Sequence, residues 1–217
     1  MLYIVSTPIG NLSDITLRAL EVLKEVDLIA CEDTRHTKIL LDKYEIDKKL
    51  ISYHQHSGEA KIAQIIGLLE EGKDVAIVTD AGTPGISDPG SKLIKKAIEA
   101  HIDVTSIPGP AAFTSALSVS GFDTSEFVFI GFLPHKKGRQ TKLNGIAGEK
   151  RTVALYESVH RINKLLGELN EVIPDRDICV TRELTKKFEE IYRGKPGEIE
   201  GKVKEKGEFA VVIEGKK

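Results

Sequence analysis

The segment from Thr79 to Gly90 reads TDAGTPGISDPG and holds three Gly, two Pro and two Asp in twelve positions. That composition excludes a helix or strand interior and dictates an ordered, tightly turned loop. It directly follows the apolar run Val75 to Val78, which places it at the C-terminal end of a buried strand. Ligands bind at that edge of open α/β sheets, because free backbone amides and helix N-termini converge there. Two further loops share the design. Ser6-Thr7-Pro8-Ile9-Gly10-Asn11 follows Leu2 to Val5, and Ile107-Pro108-Gly109-Pro110-Ala111-Ala112 follows Val104 to Ser106. Parallel strands would open all three loops on one side, around a single cleft.

Two charged segments also follow strand patterns. EDTRH at 32–36 comes after Leu28 to Cys31. His135-Lys136-Lys137-Gly138-Arg139 comes after Phe127 to Gly131, and with Lys142, Lys150 and Arg151 it makes the densest positive cluster of the chain. Its Gly lets it bend around a phosphate backbone. Read from charge alone, it serves equally well as a solvated surface loop. Several chemistries lose ground. There is no GxGxxG after the first strand, no HExxH and no GxSxG. GISDPGSK at 85–92 imitates a phosphate loop but reverses the order of Lys and Ser that such a loop needs. Cys31 and Cys179 lack a CxxC partner or a His at metal spacing, so they are expected to be buried, reduced thiols, and no metal site is expected.

The elements that must position these residues follow from composition and periodicity. The chain of 217 residues is 41% hydrophobic and 29% charged, the balance of a soluble globular protein with ample core. A net charge of −2 supplies no global attraction to nucleic acid, so any such attraction must be local. No apolar run reaches the length of a membrane span and no leader pattern opens the chain, which predicts a cytoplasmic protein with no membrane partner. Short β-branched runs alternate with amphipathic stretches: Leu2 to Val5, a helix from Ser13–Asp14 to Glu25, Leu28 to Cys31, a helix through Lys38 to Lys43, Leu50 to Tyr53, a helix from Ser57 to Glu71 with Ser57 as N-cap, Val75 to Val78, a helix from Pro89 to Ala100, and Val104 to Ile107. This is a βαβ series and implies a mostly parallel sheet.

The IPGP turn is the expected hinge. Beyond it come a helix of small residues (Ala111 to Ser120), strand Phe127 to Gly131, the basic loop, strand Thr152 to Tyr156, a helix from Val159 to Leu169, strand Ile178 to Thr181, and antiparallel strands around a short helix from Phe188 to Ile213. The predicted fold class is α/β, two lobes with a cofactor cleft between them. An N-terminal domain, 1–108, carries the parallel sheet, the Gly-rich loop and EDTRH; a C-terminal domain, 109–217, carries a mixed sheet and the basic loop.

Taken in order, STPIGNL, EDTRHT, TDAGTPGISDPG, IPGPAA, GFLPHKKGR, YESVHR and GEFAVVIEG resemble the ribosomal RNA small subunit methyltransferase I group of the tetrapyrrole methylase fold family, over essentially the whole chain. The resemblance implies a homodimeric enzyme that transfers the methyl of S-adenosylmethionine to the ribose 2′-hydroxyl of a cytidine in the decoding region of small-subunit ribosomal RNA. It implies a cofactor held in the cleft without a Rossmann glycine fingerprint. Carried over by position, the cofactor contacts are Pro8, Asp80, Thr83, Ile86, Ser87, Ala111 and Ala112, with Phe132 and Tyr156 flanking the adenosyl group and Ala210 against the adenine. Asp80 and Asp88 have the alternative role of hydrogen-bonding their own loop. Arg35, His36, Lys136, Lys137 and Arg139 are the expected RNA contacts.

Methyl transfer to a hydroxyl asks chiefly for alignment of the oxygen behind the methyl, with help in removing a proton. Glu157 and His160 are the candidate proton acceptors, with Glu32 and Asp33 as second choices and Arg35 assigned with Glu157 to the catalytic group; His160 has the alternative role of a helix-surface or hydrogen-bonding residue. Glu157 has the alternative role of an ion-pair partner for Arg35 or Arg161. Two rival functions are a same-fold methylase acting on a tetrapyrrole precursor and a non-catalytic RNA-binding protein. Members of the group commonly carry a further segment past the last strand, and the end of this chain at Lys217 implies retained cofactor binding with weakened unaided recognition of the ribosome.

Overall fold

The computed structural model describes residues 1–216 and divides into two compact units, Met1–Ala111 and Ala112–Lys217. The division falls three residues later than the expected 108/109, because the IPGP turn packs with the first unit: a Cβ on Gly109 would stand 2.8 Å from the Cβ of Ser6.

In the first unit, β1 (Leu2–Val5), β2 (Leu28–Cys31), β3 (Lys49–Ser52), β4 (Val75–Val78) and β5 (Val104–Ile107) form one sheet in the order β3-β2-β4-β1-β5, parallel throughout. A parallel sheet buried on both faces needs strands apolar at every position, and β2 and β4 are buried at all four residues. Alternate side chains then serve opposite faces. Ile29, Cys31, Ala76 and Val78 pack beneath α1 (Leu17–Glu25) and α2 (Thr34–Lys43), with Leu23, Leu40 and Leu41. Leu28, Ala30, Val75 and Ile77 pack beneath α3 (Glu59–Glu70) and α4 (Gly90–Glu99), with Ile65, Leu93 and Ala97. The helix after β1 therefore covers one face and the helix after β4 the other, although the two strands are neighbours. This is a topological switch point, where the loops leaving adjacent strands diverge and open a crevice.

The second unit has a mixed sheet, β6 (Phe127–Phe132), β7 (Thr152–Glu157), β8 (Ile178–Arg182), β9 (Glu190–Gly194) and β10 (Phe209–Ile213), in the order β6-β7-β10-β8-β9. Only β6 and β7 run parallel. One face carries α5 (Ala112–Ser120) on the small side chains Ala154, Cys179 and Ala210. The other carries α6 (Arg139–Gly148), α7 (Ile162–Val172) and the short α8 (Pro196–Ile199) over Leu155, Val180 and Val211. Both cysteines are buried and unpaired by disulfide.

Among the element boundaries that differ from the sequence expectation, three have a clear local reason. The first helix breaks into a 3₁₀ turn at Leu12–Asp14 and α1, because the Thr16 hydroxyl accepts the Ala19 amide and restarts the helix there. The Ser57 hydroxyl accepts the amide of His54 instead of capping α3, which begins after Gly58. The basic stretch is a loop only to Gly138, where φ = 83° turns the chain into α6; the helix eluded the pattern because its apolar anchors, Leu143 and Ile146, are few and its buried first residue is an arginine.

Leu155 is fully buried in β7, beneath α6 and α7. Leu155→Ala is expected to destabilise the protein by about 2–5 kcal/mol in urea denaturation followed by circular dichroism. Leu17→Ala, at a position 79% exposed, is expected to change it by under about 0.5 kcal/mol.

Candidate functional site

The crevice at the β1/β4 switch point is built by the three loops singled out in the sequence. Thr7 and Gly82 form a two-bond antiparallel bridge, N–H to O at 2.9 and 3.1 Å in the two directions, and the Thr7 hydroxyl donates to Thr79 O at 2.9 Å. The Thr83 hydroxyl donates to Pro110 O at 3.2 Å, so its contact with the Ser6 hydroxyl at 2.9 Å is donated by Ser6. One threonine thus ties the β1, β4 and β5 loops together. Gly82 sits at φ = 89° against Ile9, Pro110 and Ala111, a conformation a side chain would strain.

The two aspartates of the Gly-rich loop divide the work. Asp88 Oδ1 accepts the amides of Gly85 and Gly90 at 2.8 and 2.7 Å, and so folds its own loop. Asp80 Oδ1 accepts the amide of Asp33 at 3.1 Å and joins the EDTRH segment to the crevice. Glu32, from the same segment, lines a separate small pocket at the ends of β2, β3 and β4 with Tyr53, Thr79, Pro84 and Asp88, and accepts the Thr79 hydroxyl at 3.3 Å. Burial, and then the nearby Asp80 carboxylate, raise the Glu32 pKa above the ordinary glutamate value. Of the expected cofactor positions, Thr83 is engaged in holding the loops, Ser87 stands at φ = 61°, and Ile86 presents an exposed side chain. Pro8 and Ala111 lie in the flanking loops tied to them.

Arg35 and His36 are exposed on the first turn of α2. A cation at a helix N-terminus opposes the helix dipole, and Asp33 compensates: Oδ1 accepts the Arg35 amide at 2.8 Å and Oδ2 holds the guanidinium at 2.7 Å. The Arg35 hydrogen bonds hold the Asp33 carboxyl well below the usual range.

In the second unit, Phe132, Tyr156 and Ala210 lie side by side across β6, β7 and β10. A bulge between Phe129 and Phe132, with Gly131 at φ = 62°, brings Phe132 into register with Tyr156 and leaves its ring exposed. The rings of Phe132 and Tyr156 are 5.5 Å apart. The Tyr156 hydroxyl accepts the amide of Phe113 at 3.1 Å, in the first turn of α5 next to Ala112, and burial raises its pKa. The aromatic pair, its ring planes tilted by 57°, and the small side chains of Ala112 and Ala210 therefore share one end of this sheet.

Two expectations are corrected here. Glu157 is not an available proton acceptor. Its side chain is fully buried, one oxygen taken by Arg161 at 2.6 Å and the Ser158 amide at 2.8 Å, the other by Arg139 at 3.2 Å. Arg139 does not face solvent with the basic loop. As the first residue of α6 it turns inward, is 4% exposed, and is also held by Glu168 at 2.7 Å. His135, Lys136 and Lys137 are exposed. Glu168 was missed, since one more glutamate on a charged helix face carries no signal of its own. Among the described residues no group of three or more His, Cys, Asp or Glu is placed to hold a metal ion, and no helix is long and apolar enough to cross a membrane.

The family described as Tetrapyrrole (Corrin/Porphyrin) Methylases matches residues 1–200. A curated relative from Thermotoga maritima named ribosomal RNA small subunit methyltransferase I is 48% identical over 99% of this chain and 98% of its own length. The Bacillus subtilis protein of the same name is 45% identical over 99% of this chain and 75% of its own length. Among solved structures, the cobalt precorrin-4 methyltransferase of cobalamin biosynthesis superposes with a TM-score of 0.74 at 19% identity, covering 98% of this chain and 94% of that one.

Glu32 supplies a pH test. A carboxyl whose folded pKa is raised favours the folded state only while protonated, so its charged form opposes folding above that pKa. Glu32→Gln keeps an acceptor for Thr79 and removes the charge. The variant is expected to be more stable than the parent at pH 7, by under about 1 kcal/mol after solvent screening. The difference should vanish below the ordinary glutamate value of 4.5, which thermal unfolding across that pH range reads directly.

Proposed function

The chain belongs to the tetrapyrrole (corrin/porphyrin) methylase family and, within it, to the ribosomal RNA small subunit methyltransferase I group, and we propose that it transfers the methyl of S-adenosylmethionine to the ribose 2′-hydroxyl of a cytidine in the decoding region of small-subunit ribosomal RNA. The observation that carries this reading is the near-half identity along the full chain to curated small-subunit ribosomal RNA methyltransferases. The likeness to a corrin methyltransferase, at 19% identity, speaks for the fold alone. Action as a homodimer in the cytoplasm belongs to the same reading.

The residues present suit the cofactor. The switch-point crevice is edged by backbone that turns at the positive φ of Gly82 and comes close where Gly109 carries no side chain, and the acidic groups beside it, Glu32, Asp80 and Asp88, favour a ligand bearing an ammonium and a sulfonium. The exposed ring of Phe132, beside Tyr156, offers an apolar aromatic face for a purine. When bound, S-adenosylmethionine supplies a methyl on a positively charged sulfur that departs as a neutral thioether.

The protein's own part is alignment of the ribose oxygen with that methyl. The oxygen becomes strongly acidic as its new bond to carbon forms, so its proton passes readily to water and no strong base is required. Glu157, locked between two arginines, has no part in that step. Lys136, Lys137 and Arg35 are the cationic side chains offered to phosphates, with His36 beside Arg35 as a hydrogen-bonding group; such contacts fix the register of the RNA without reading its sequence.

The test is transfer of labelled methyl from S-adenosylmethionine to small ribosomal subunits from cells lacking this protein, followed by mapping of the labelled nucleoside. Label on a 2′-O-methylcytidine is the expected result; label on a base, or none on RNA with transfer to a tetrapyrrole, would overturn it. Asp88→Ala, which removes the acceptor for two loop amides, is expected to weaken S-adenosylmethionine binding about tenfold in calorimetry. The KM for the ribosomal subunit should stay within about twofold.

A further inference from the structure

The buried ion network of the second unit does more than pack. Glu157 lies between Arg139 and Arg161, Glu168 closes the cluster on Arg139, and Lys164 reaches Glu168 from outside at 3.8 Å. Burying such a group involves a desolvation penalty that an apolar cluster of the same volume avoids. What the arginines add is a pair of hydrogen bonds to consecutive backbone carbonyls: Arg161 donates to Leu133 O and Arg139 to Pro134 O, each at 3.2 Å. Those are the two residues from which the basic loop springs. The loop ends where the Arg139 amide donates to Lys136 O and Gly138 turns at φ = 83°. It is therefore gripped at its root and at its return, and between them Lys136 and Lys137 stand exposed, with no carboxylate within ion-pair distance among the described residues.

We propose that Arg139, Glu157 and Arg161 form a clamp that positions the Leu133 to Gly138 loop so that Lys136 and Lys137 meet RNA phosphates at a fixed spacing. These are positioning residues: they act through the loop and do not touch RNA. The proposal rests on the RNA reading above. A loop with its root free would keep its charges but spread them over many conformers, and each phosphate contact would then carry the entropy of ordering the loop.

The experiment is a double-mutant cycle on the full-length protein, reading kcat and KM for the small ribosomal subunit and the salt dependence of binding. The arms are Lys136→Ala with Lys137→Ala, Arg161→Ala, and all three together. The lysine pair is expected to raise KM about tenfold and to flatten the salt slope by one to two phosphate contacts, roughly. Arg161→Ala is expected to raise KM several-fold, with S-adenosylmethionine affinity within about twofold of the parent. The triple variant should fall well short of the product of the separate effects, because displacing the loop matters little once its charges are gone. Arg161→Lys, which can pair with Glu157 but cannot also span Ser158 and Leu133, should recover part of the loss. Full multiplicativity, or an unchanged KM in Arg161→Ala, overturns the clamp. If Arg161→Ala fails to fold, the same cycle run with Arg161→Lys decides between these outcomes. An unchanged KM in the lysine pair overturns the loop's role in RNA binding and the clamp with it. Failure of the parent protein to methylate subunits at all marks failure of the functional reading instead.

Discussion

The first unit depends on one constraint: β1 and β4 lie side by side at the centre of a parallel sheet while the helices that follow them cover opposite faces. Two chains leaving neighbouring strand ends in opposite directions cannot fill the space between them, and the loops must make the walls of what is left. Every special residue of the crevice answers to that. Gly82 bends at positive φ where the β4 loop turns to meet Thr7, Gly109 lets the β5 loop press on Ser6, and the Thr83 hydroxyl joins all three. A rigid crevice walled by backbone follows from the strand order before any ligand is considered.

The second unit meets a different constraint. Its sheet ends in an aromatic patch on one side of β7 and a buried carboxylate one residue further on, and alternation along the strand sends Tyr156 and Glu157 to opposite faces. Tyr156 then packs beside Phe132 and accepts the Phe113 amide at the start of α5 through its hydroxyl, while Glu157 gathers Arg139 and Arg161 on the side of α6 and α7. The motif YESVHR thus splits into two jobs by strand period alone. Both oxygens of Glu157 are engaged in that interior, as a buried carboxyl group requires.

Much of this was legible in the sequence. Apolar runs of four residues bounded by Gly and Pro gave the strands of the first unit, and the βαβ alternation gave the parallel sheet. The three loops were recognisable because glycine and proline at those positions have few other uses. Less legible was anything decided by which way a helix's first residue faces. Arg139 belongs by sequence to a run of cations, and only the turn at Gly138 shows that it points inward while Lys136 and Lys137 point out. Likewise Thr16 and Ser57 look equally fit to cap a helix; the Thr16 hydroxyl does so, and that of Ser57 is taken by His54. Ion networks such as that of Glu168 leave no periodic trace, since a solvated glutamate and a buried one occupy the same kind of position on the helical wheel.

The charge distribution joins the two units in one chemical argument. A net charge of −2 over 217 residues conceals a separation of sign: Glu32, Asp80 and Asp88 gather beside the crevice of the first unit, while the unpaired lysines of the second stand on a loop. A transfer reaction between a cationic methyl donor and a polyanionic acceptor calls for that separation. In the proposed reaction, acidic groups beside the crevice would suit the cationic donor and repel phosphate. Free lysines on the loop do the reverse. In the second unit Arg139 and Arg161 hold Glu157, Arg139 and Lys164 hold Glu168, and among the described residues no carboxylate pairs with Lys136 or Lys137. On the clamp proposed above, the same arginines that engage Glu157 hold the backbone of that loop through two carbonyls.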